Sequence, residues 1–340
     1  MRRPILALAA LLAATPALSA PRSRPPADLT GLWSNGSWTT FDRPEDVKAL
    51  VLTPEEARAR EALLAKTGGL AANPQDKVGQ AESEFLEAGA GLMRVRGQPR
   101  TSWLLTSDGK VPYRPEVRAR LRKLNGFDNP EERPGQERCL SANGSGAPLV
   151  AEEDANVMQI VQAGDTVAIA SEKSHEVRTV RIGDRHPHQP ASWAGDSVGR
   201  WEGATLVVET RNFRGAVVDR DEFRHSGDAV ITERFTRTAP DEIAYAWTVV
   251  DPAFFLQPFG GEGVFRAVKG PMYEYACHEG NYSIRTILQA ARLGKQEAPR
   301  PAPTPSPPPV PAKAGAQADP VGTSASGSSP TKPGSRPSPG

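Results

Sequence analysis

The chain has 340 residues, and its 41 basic against 40 acidic side chains leave a formal net charge of +1. That balance removes the electrostatic reason to expect nucleic acid or an anionic membrane surface as a partner. Two cysteines with no CxxC spacing argue against a reactive thiol pair or a cysteine metal site, and for one structural disulfide in an exported chain.

The first residues, MRRPILALAALLAATPALSA, carry Arg2 and Arg3, then an apolar run from Ile5 to Ala14. Ala17 and Ser19 stand in the small-residue positions of a signal-peptide site, so residues 1–19 are read as a signal peptide cleaved after Ser19. The run is short for a bilayer and no other stretch reaches 18 apolar residues, so no membrane span is expected. Residues 28–50 are short apolar pieces broken by turn residues, as in an opening strand. Thr53 as N-cap, Pro54 at the first helical position and Glu55 and Glu56 in the first turn predict a helix ending at Gly68-Gly69. A second helix is predicted from Pro115 to Leu124, stopped by Asn125-Gly126.

From Val157 onward the pattern is that of strands joined by tight turns. VMQIVQ and TVAIASE flank Ala163-Gly164-Asp165, VRTVRI ends at Gly183-Asp184, and TLVVETRNF follows Gly203-Ala204. ITERFTRT and EIAYAWTVV flank Ala239-Pro240-Asp241, and MYEYACHE is read as the last strand before a short helix over Ser283–Arg292. In EIAYAWTVV, Ile243, Tyr245, Trp247 and Val249 share one face, which marks a strand with one heavily buried side. The expected fold is mainly β: an antiparallel up-and-down meander closing into a lipocalin-like barrel, with two or three short helices. Residues 20–295 form the single domain. Residues 296–340, rich in Pro, Ser, Gly and Ala, are read as a disordered tail that could tether the protein to a partner in the cell envelope.

Four stretches carry candidate chemistry. Gly195-Asp196-Ser197-Val198-Gly199 satisfies the bare G-x-S-x-G pattern of a nucleophile elbow, but that elbow needs a helix after it and WEGATLVVET is a strand, so Ser197 is set aside. His186 and His188 flank Pro187 and could bind Zn²⁺ with a third ligand such as His175, but no clear ligand set exists; neither metal nor cofactor is assigned. His175 sits beside Glu172, Glu176 and Arg178, a polar network that can hold a general base. In YACHEGNYS, Cys277 would staple the segment to Cys139 in ERCL, leaving His278, Glu279 and Asn281 on the turn before the last helix. Closing so long a loop would stabilise the fold by about 4 to 5 kcal/mol on the chain-entropy argument.

RTSWLLTSDGKVP, PEERPGQERCL, SHEVR, GDSVGRWEGATLVVETRNF, ERFTR and YEYACHEGNYS, in this order, resemble the blocks of a family of exported bacterial proteins. The resemblance spans most of the chain between signal peptide and tail, and implies an envelope or secreted location and one domain, without naming an activity. Where that family commonly reads WEGDTLVV this chain has Ala204, which argues against an essential carboxylate there. RHPH holds one residue more than the family's Arg-Pro-His, which favours His188 over His186 as the functional histidine.

The functional expectation is a periplasmic or secreted protein that binds a small apolar or amphipathic molecule in a barrel pocket. Trp193, Trp201 and Trp247 would give stacking surface, although core packing is the stronger reading of Trp247, and Arg178 would be a polar anchor. The alternative is a periplasmic hydrolase or lyase. There His175 or His188 would act as base, Asp196 would orient it and Arg178 would stabilise developing negative charge.

Overall fold

The computed structural model describes residues 25–66, 89, 91–121, 126–127, 129–133, 135, 137–140, 146–151, 155–183, 185–186, 190–214 and 224–296. The signal peptide and the tail expected from the sequence lie outside these residues. Among them, nine strands close a barrel: β1 (Gly31–Ser34), then β4 (Val157–Ala163), β5 (Thr166–Ser171), β6 (Val177–Ile182), β7 (Asp196–Glu202), β8 (Thr205–Arg211), β9 (Val230–Ala239), β10 (Glu242–Val250) and β11 (Phe259–Ala267). A short hairpin of β2 (Arg94–Val95) and β3 (Gln98–Pro99) lies apart from it in the sheet order. Three helices complete the elements: α1 (Pro54–Lys66), α2 (Pro115–Leu121) and α3 (Ser283–Gln296). No described helix is long and apolar enough to cross a membrane.

Neighbours along the chain pair antiparallel from β4 to β6 and from β7 to β11, as an up-and-down meander requires, and β1 closes the ring between β11 and β4. A ring with an odd number of strands cannot be antiparallel throughout, so one step must be parallel. That step is β6 to β7, where Val180 pairs with Ser197 and Ile182 with Gly199, and the connection between them carries the chain back along the barrel. Two turns follow the sequence reading closely. Gly164-Asp165 joins β4 to β5 and Gly203-Ala204 joins β7 to β8, with φ of 63° and 59° at the glycines. The stretch from Gly195 to Phe213 is therefore a hairpin, as its pattern suggests.

Helix α1 starts where its capping box places it: Thr53 N–H donates to Glu56 Oε2 at 2.8 Å and Glu56 N–H donates to Thr53 Oγ1 at 3.2 Å. The cysteines form the expected disulfide, Cys139 to Cys277, with Cα atoms 5.7 Å apart. Such a bond belongs to an oxidising compartment outside the cytoplasm. One expectation is overturned, because MYEYACHE forms no strand. Tyr273 N–H instead donates to the Glu172 carboxylate at 2.8 Å, the Lys173 ammonium lies 4.9 Å from the Tyr275 ring centre, and the disulfide follows.

Strand β11, which meets β1 at the closure, has the sequence FGGEGVFRA, which reads poorly as a strand. At two of its three glycines, aromatic rings occupy the space a side chain would fill. A Cβ on Gly263 would lie 2.1 Å from Trp103 Cζ3, and one on Gly261 2.5 Å from Trp247 Cζ2. Trp103 is fully buried, and its segment covers the free edge of β11: Glu262 N–H donates to Trp103 O at 3.1 Å and Leu105 N–H to Gly260 O at 3.0 Å. Gly263→Val is expected to destabilise the protein by about 1–3 kcal/mol through overpacking against Trp103. The urea midpoint checks this, and an unchanged midpoint would mean that the ring can move aside without loss.

Candidate functional site

The lumen is lined by the alternate residues that the strand pattern turns inward. Phe235 on β9, Tyr245 on β10 and Phe265 on β11 stack with centroids 4.8 to 6.1 Å apart and belong to one core with Trp33, Trp103, Leu149 and Met158. Two charges sit within that packing. Arg178 on β6 and Glu233 on β9, strands three places apart in the sheet, meet in a bidentate pair, with Arg178 Nη2 donating to Glu233 Oε1 at 3.1 Å. Tyr245 Oη donates to the same oxygen at 2.7 Å and accepts from the Leu149 N–H at 2.8 Å. Burial works against the charge on Arg178, but the Glu233 carboxylate outweighs it and holds the guanidinium above its ordinary range. Burial, then the Glu233 charge, pushes the Tyr245 phenol well up. Arg178 is thus committed to Glu233 inside a packed interior.

A second polar cluster lies on β6, β7 and β8 around Asp196, which is buried. Arg181 Nη2 donates to Asp196 Oδ1 at 2.5 Å, His186 Nδ1 lies 3.1 Å from Asp196 Oδ2, and His186 Nε2 lies 3.2 Å from Glu209 Oε1. Arg211 Nε donates to Glu209 Oε1 at 2.6 Å. Asp196 therefore meets His186, the histidine the sequence reading set aside. Both imidazole nitrogens face carboxylates, which leaves neither directed at a substrate. His175 is exposed on the turn before β6, with φ of 50°, and no hydrogen bond or ion pair joins it to Asp196. His188 lies outside the described residues. No group of three His, Cys, Asp or Glu among the described residues could hold a metal ion.

The tryptophans occupy separate surroundings. Trp247 is buried between Phe41, stacked at 6.1 Å, and Phe259, edge-on at 5.8 Å. Trp193 is half-buried with the Arg214 guanidinium 5.5 Å from its ring centre, and Trp201 packs at the margin of the core. Ser197 is buried on its strand, with its hydroxyl 2.9 Å from that of Thr210. Asn281 serves the disulfide region, its Nδ2 donating to Glu137 O at 3.1 Å.

A concave site opens where the barrel wall is weakest. Strand β1 pairs with β11 only through Trp33 and Ser34, after which the chain leaves the sheet. Ser34 Oγ accepts the Gly36 N–H at 3.2 Å to make the turn, and Trp38 N–H then donates to Gly91 O at 2.9 Å. Between these segments and β11 lies a cleft of about 250 Å³, lined by residues 34–37, residues 91–94, Val264 and Arg266. Ser37 is 7% exposed and its hydroxyl has no hydrogen-bond partner. Arg94 Nη1 lies 2.9 Å from Glu61 Oε1, and Arg266 Nη1 lies 2.7 Å from Glu242 Oε2. Glu61 also accepts the Leu92 N–H at 3.0 Å, so α1 fixes the 91–94 wall. The sequence reading named none of these residues; the run Ser34-Asn35-Gly36-Ser37 directly after a strand was the available signal.

No family model, no curated protein and no solved structure matches this chain.

Removing Arg178 alone strands Glu233 in the lumen. Arg178→Met is expected to cost about 3–5 kcal/mol, and adding Glu233→Gln, which keeps an acceptor for Tyr245, to recover most of it. Chemical denaturation of both variants checks this; equal losses would mean that the charge pair is not the cause. The hydrogen bond from Arg94 holds the Glu61 carboxyl below its ordinary range, and that from Arg211 does the same for Glu209. The stability these two supply is complete above the unfolded carboxylate pKa and is lost as pH falls through their lower folded values. Melting temperature should therefore fall less steeply below about pH 4.5 in Glu61→Gln than in the parent protein.

Proposed function

We propose that this is an extracytoplasmic protein that binds one small amphipathic molecule, and that the seam cleft between β1 and β11 holds it. The observation that carries this reading is the buried, unpartnered hydroxyl of Ser37 in a cleft that also offers apolar and guanidinium surface. A polar group buried without a partner costs about 1–3 kcal/mol, which a ligand can recover by accepting its hydrogen bond. The volume lies just below the range of about 300–1,000 Å³ found for drug-sized ligands, which suits a small metabolite. The filled lumen directs the expected barrel pocket to this opening in the wall. The disulfide supports the location, and the export signal read from the sequence agrees with it.

Ligand-observed NMR with a library of small fragments tests the reading. Val264→Phe should fill the cleft and abolish saturation transfer to fragments that bind the parent protein; because Val264 is buried it should also cost about 1–3 kcal/mol of stability, so binding is compared well below the variant's melting temperature. Fragments that bind the variant as well as the parent would place the site elsewhere.

A further inference from the structure

We propose that the ligand of the seam cleft is a small monocarboxylate with a short apolar body, a refinement that rests on the binding reading above. The cleft is chemically one-sided: among its described lining residues there are two arginines and no acid. Its polar groups are otherwise the short neutral side chains Ser34, Asn35 and Ser37, and Leu92, Met93 and Val264 supply apolar wall. An amine or a metal cation entering it would meet two guanidinium groups, and the nearest carboxylates, Glu61 and Glu242, are already paired with them. An anion finds donors.

Arg266 commits a guanidinium nitrogen to Glu242 and makes no other hydrogen bond among the described residues. A guanidinium carries five N–H donors in a planar fork that matches a carboxylate. Ser37 Oγ adds a hydroxyl that is nine-tenths buried and has no partner. The two arginines already share their charge with Glu61 and Glu242. These four groups sum to zero, so an anion adds charge that only spare donors compensate; a carboxylate adds −1, whereas a phosphate monoester would bring about −1.5 to −2. A carboxylate against Arg266 and Ser37 with its body along Leu92, Met93 and Val264 uses each of these features.

Isothermal titration and thermal shift of the mature full-length protein with hexanoate, 1-hexanol, hexylamine and hexyl phosphate test this. The four probes share a body and differ in the head. Hexanoate should bind best at millimolar concentration, should weaken about 10- to 100-fold in Arg266→Gln, and should not bind Val264→Phe. Arg266 is half-exposed, so its variant is expected to fold and melt like the parent. Hexanol or hexylamine binding as well as hexanoate, yet lost in Val264→Phe, would overturn the carboxylate assignment and leave the cleft as the site. Tighter binding of hexyl phosphate with the same loss would replace the carboxylate by a phosphate head. Hexanoate binding unchanged in both variants, or no probe binding the parent, would overturn the assignment and the cleft together.

Discussion

Arg178 and Glu233 reach one another across the lumen from strands three places apart, and either charge alone in that interior would carry a desolvation cost of several kcal/mol. The walls that bear them must therefore stay in one relative position. The bidentate geometry fixes distance and orientation, and Tyr245 extends the network by donating to Glu233 and accepting from Leu149, a residue outside the sheet. Around it the lumen is filled by rings rather than held open. The pair ties β6 to β9, and Tyr245 adds β10 to the same network, so the three strands are held in one arrangement.

With the middle of the barrel occupied, the opening appears where strand pairing gives out. β1 has four residues, pairs with β4 along all of them and with β11 at only two. The rest of the β11 edge would expose unpaired backbone groups, and the segment carrying Trp103 supplies partners for it. That substitution of a loop for a strand sets the chain from Ser34 to Ser37 apart from β11 and leaves the cleft between them. Gly261 and Gly263 belong to the same arrangement, since Trp103 and Trp247 stand over the two glycines. Barrel closure and the cleft are thus two consequences of one short strand.

Much of this was legible in the sequence. Period-two alternation in β10, the Gly-containing turns after β4 and β7, and the Thr53 capping box each state their local structure directly, because each depends on residues close together in the chain. β11 was not legible: three glycines in a nine-residue strand look like a loop until the rings of Trp103 and Trp247, distant in sequence, are known to lie against Gly263 and Gly261. MYEYACHE failed in the opposite sense, its alternating aromatics imitating a strand while Glu172, Lys173 and the disulfide hold it as an irregular segment. For the site, the chain was read for titratable residues near one another in sequence. That search found Asp196 but paired it with His175 or His188, whereas the connection from β6 to β7 brings His186 to it.

The same contrast bears on what kind of site this chain offers. General base catalysis needs a group with a free lone pair aimed at a substrate, and His186 faces a carboxylate with each ring nitrogen, while Arg178 is committed to Glu233. Asp196 and Arg178, which looked catalytic in the sequence, are each held by charged partners that the sequence reading did not give them. In the seam cleft the polar groups with capacity to spare are donors, the Ser37 hydroxyl and the guanidinium of Arg266, and the acids nearest them, Glu61 and Glu242, already accept from the two arginines. Spare donors beside acids that are already paired suit an anion held in place, which is why the cleft is proposed as a binding site.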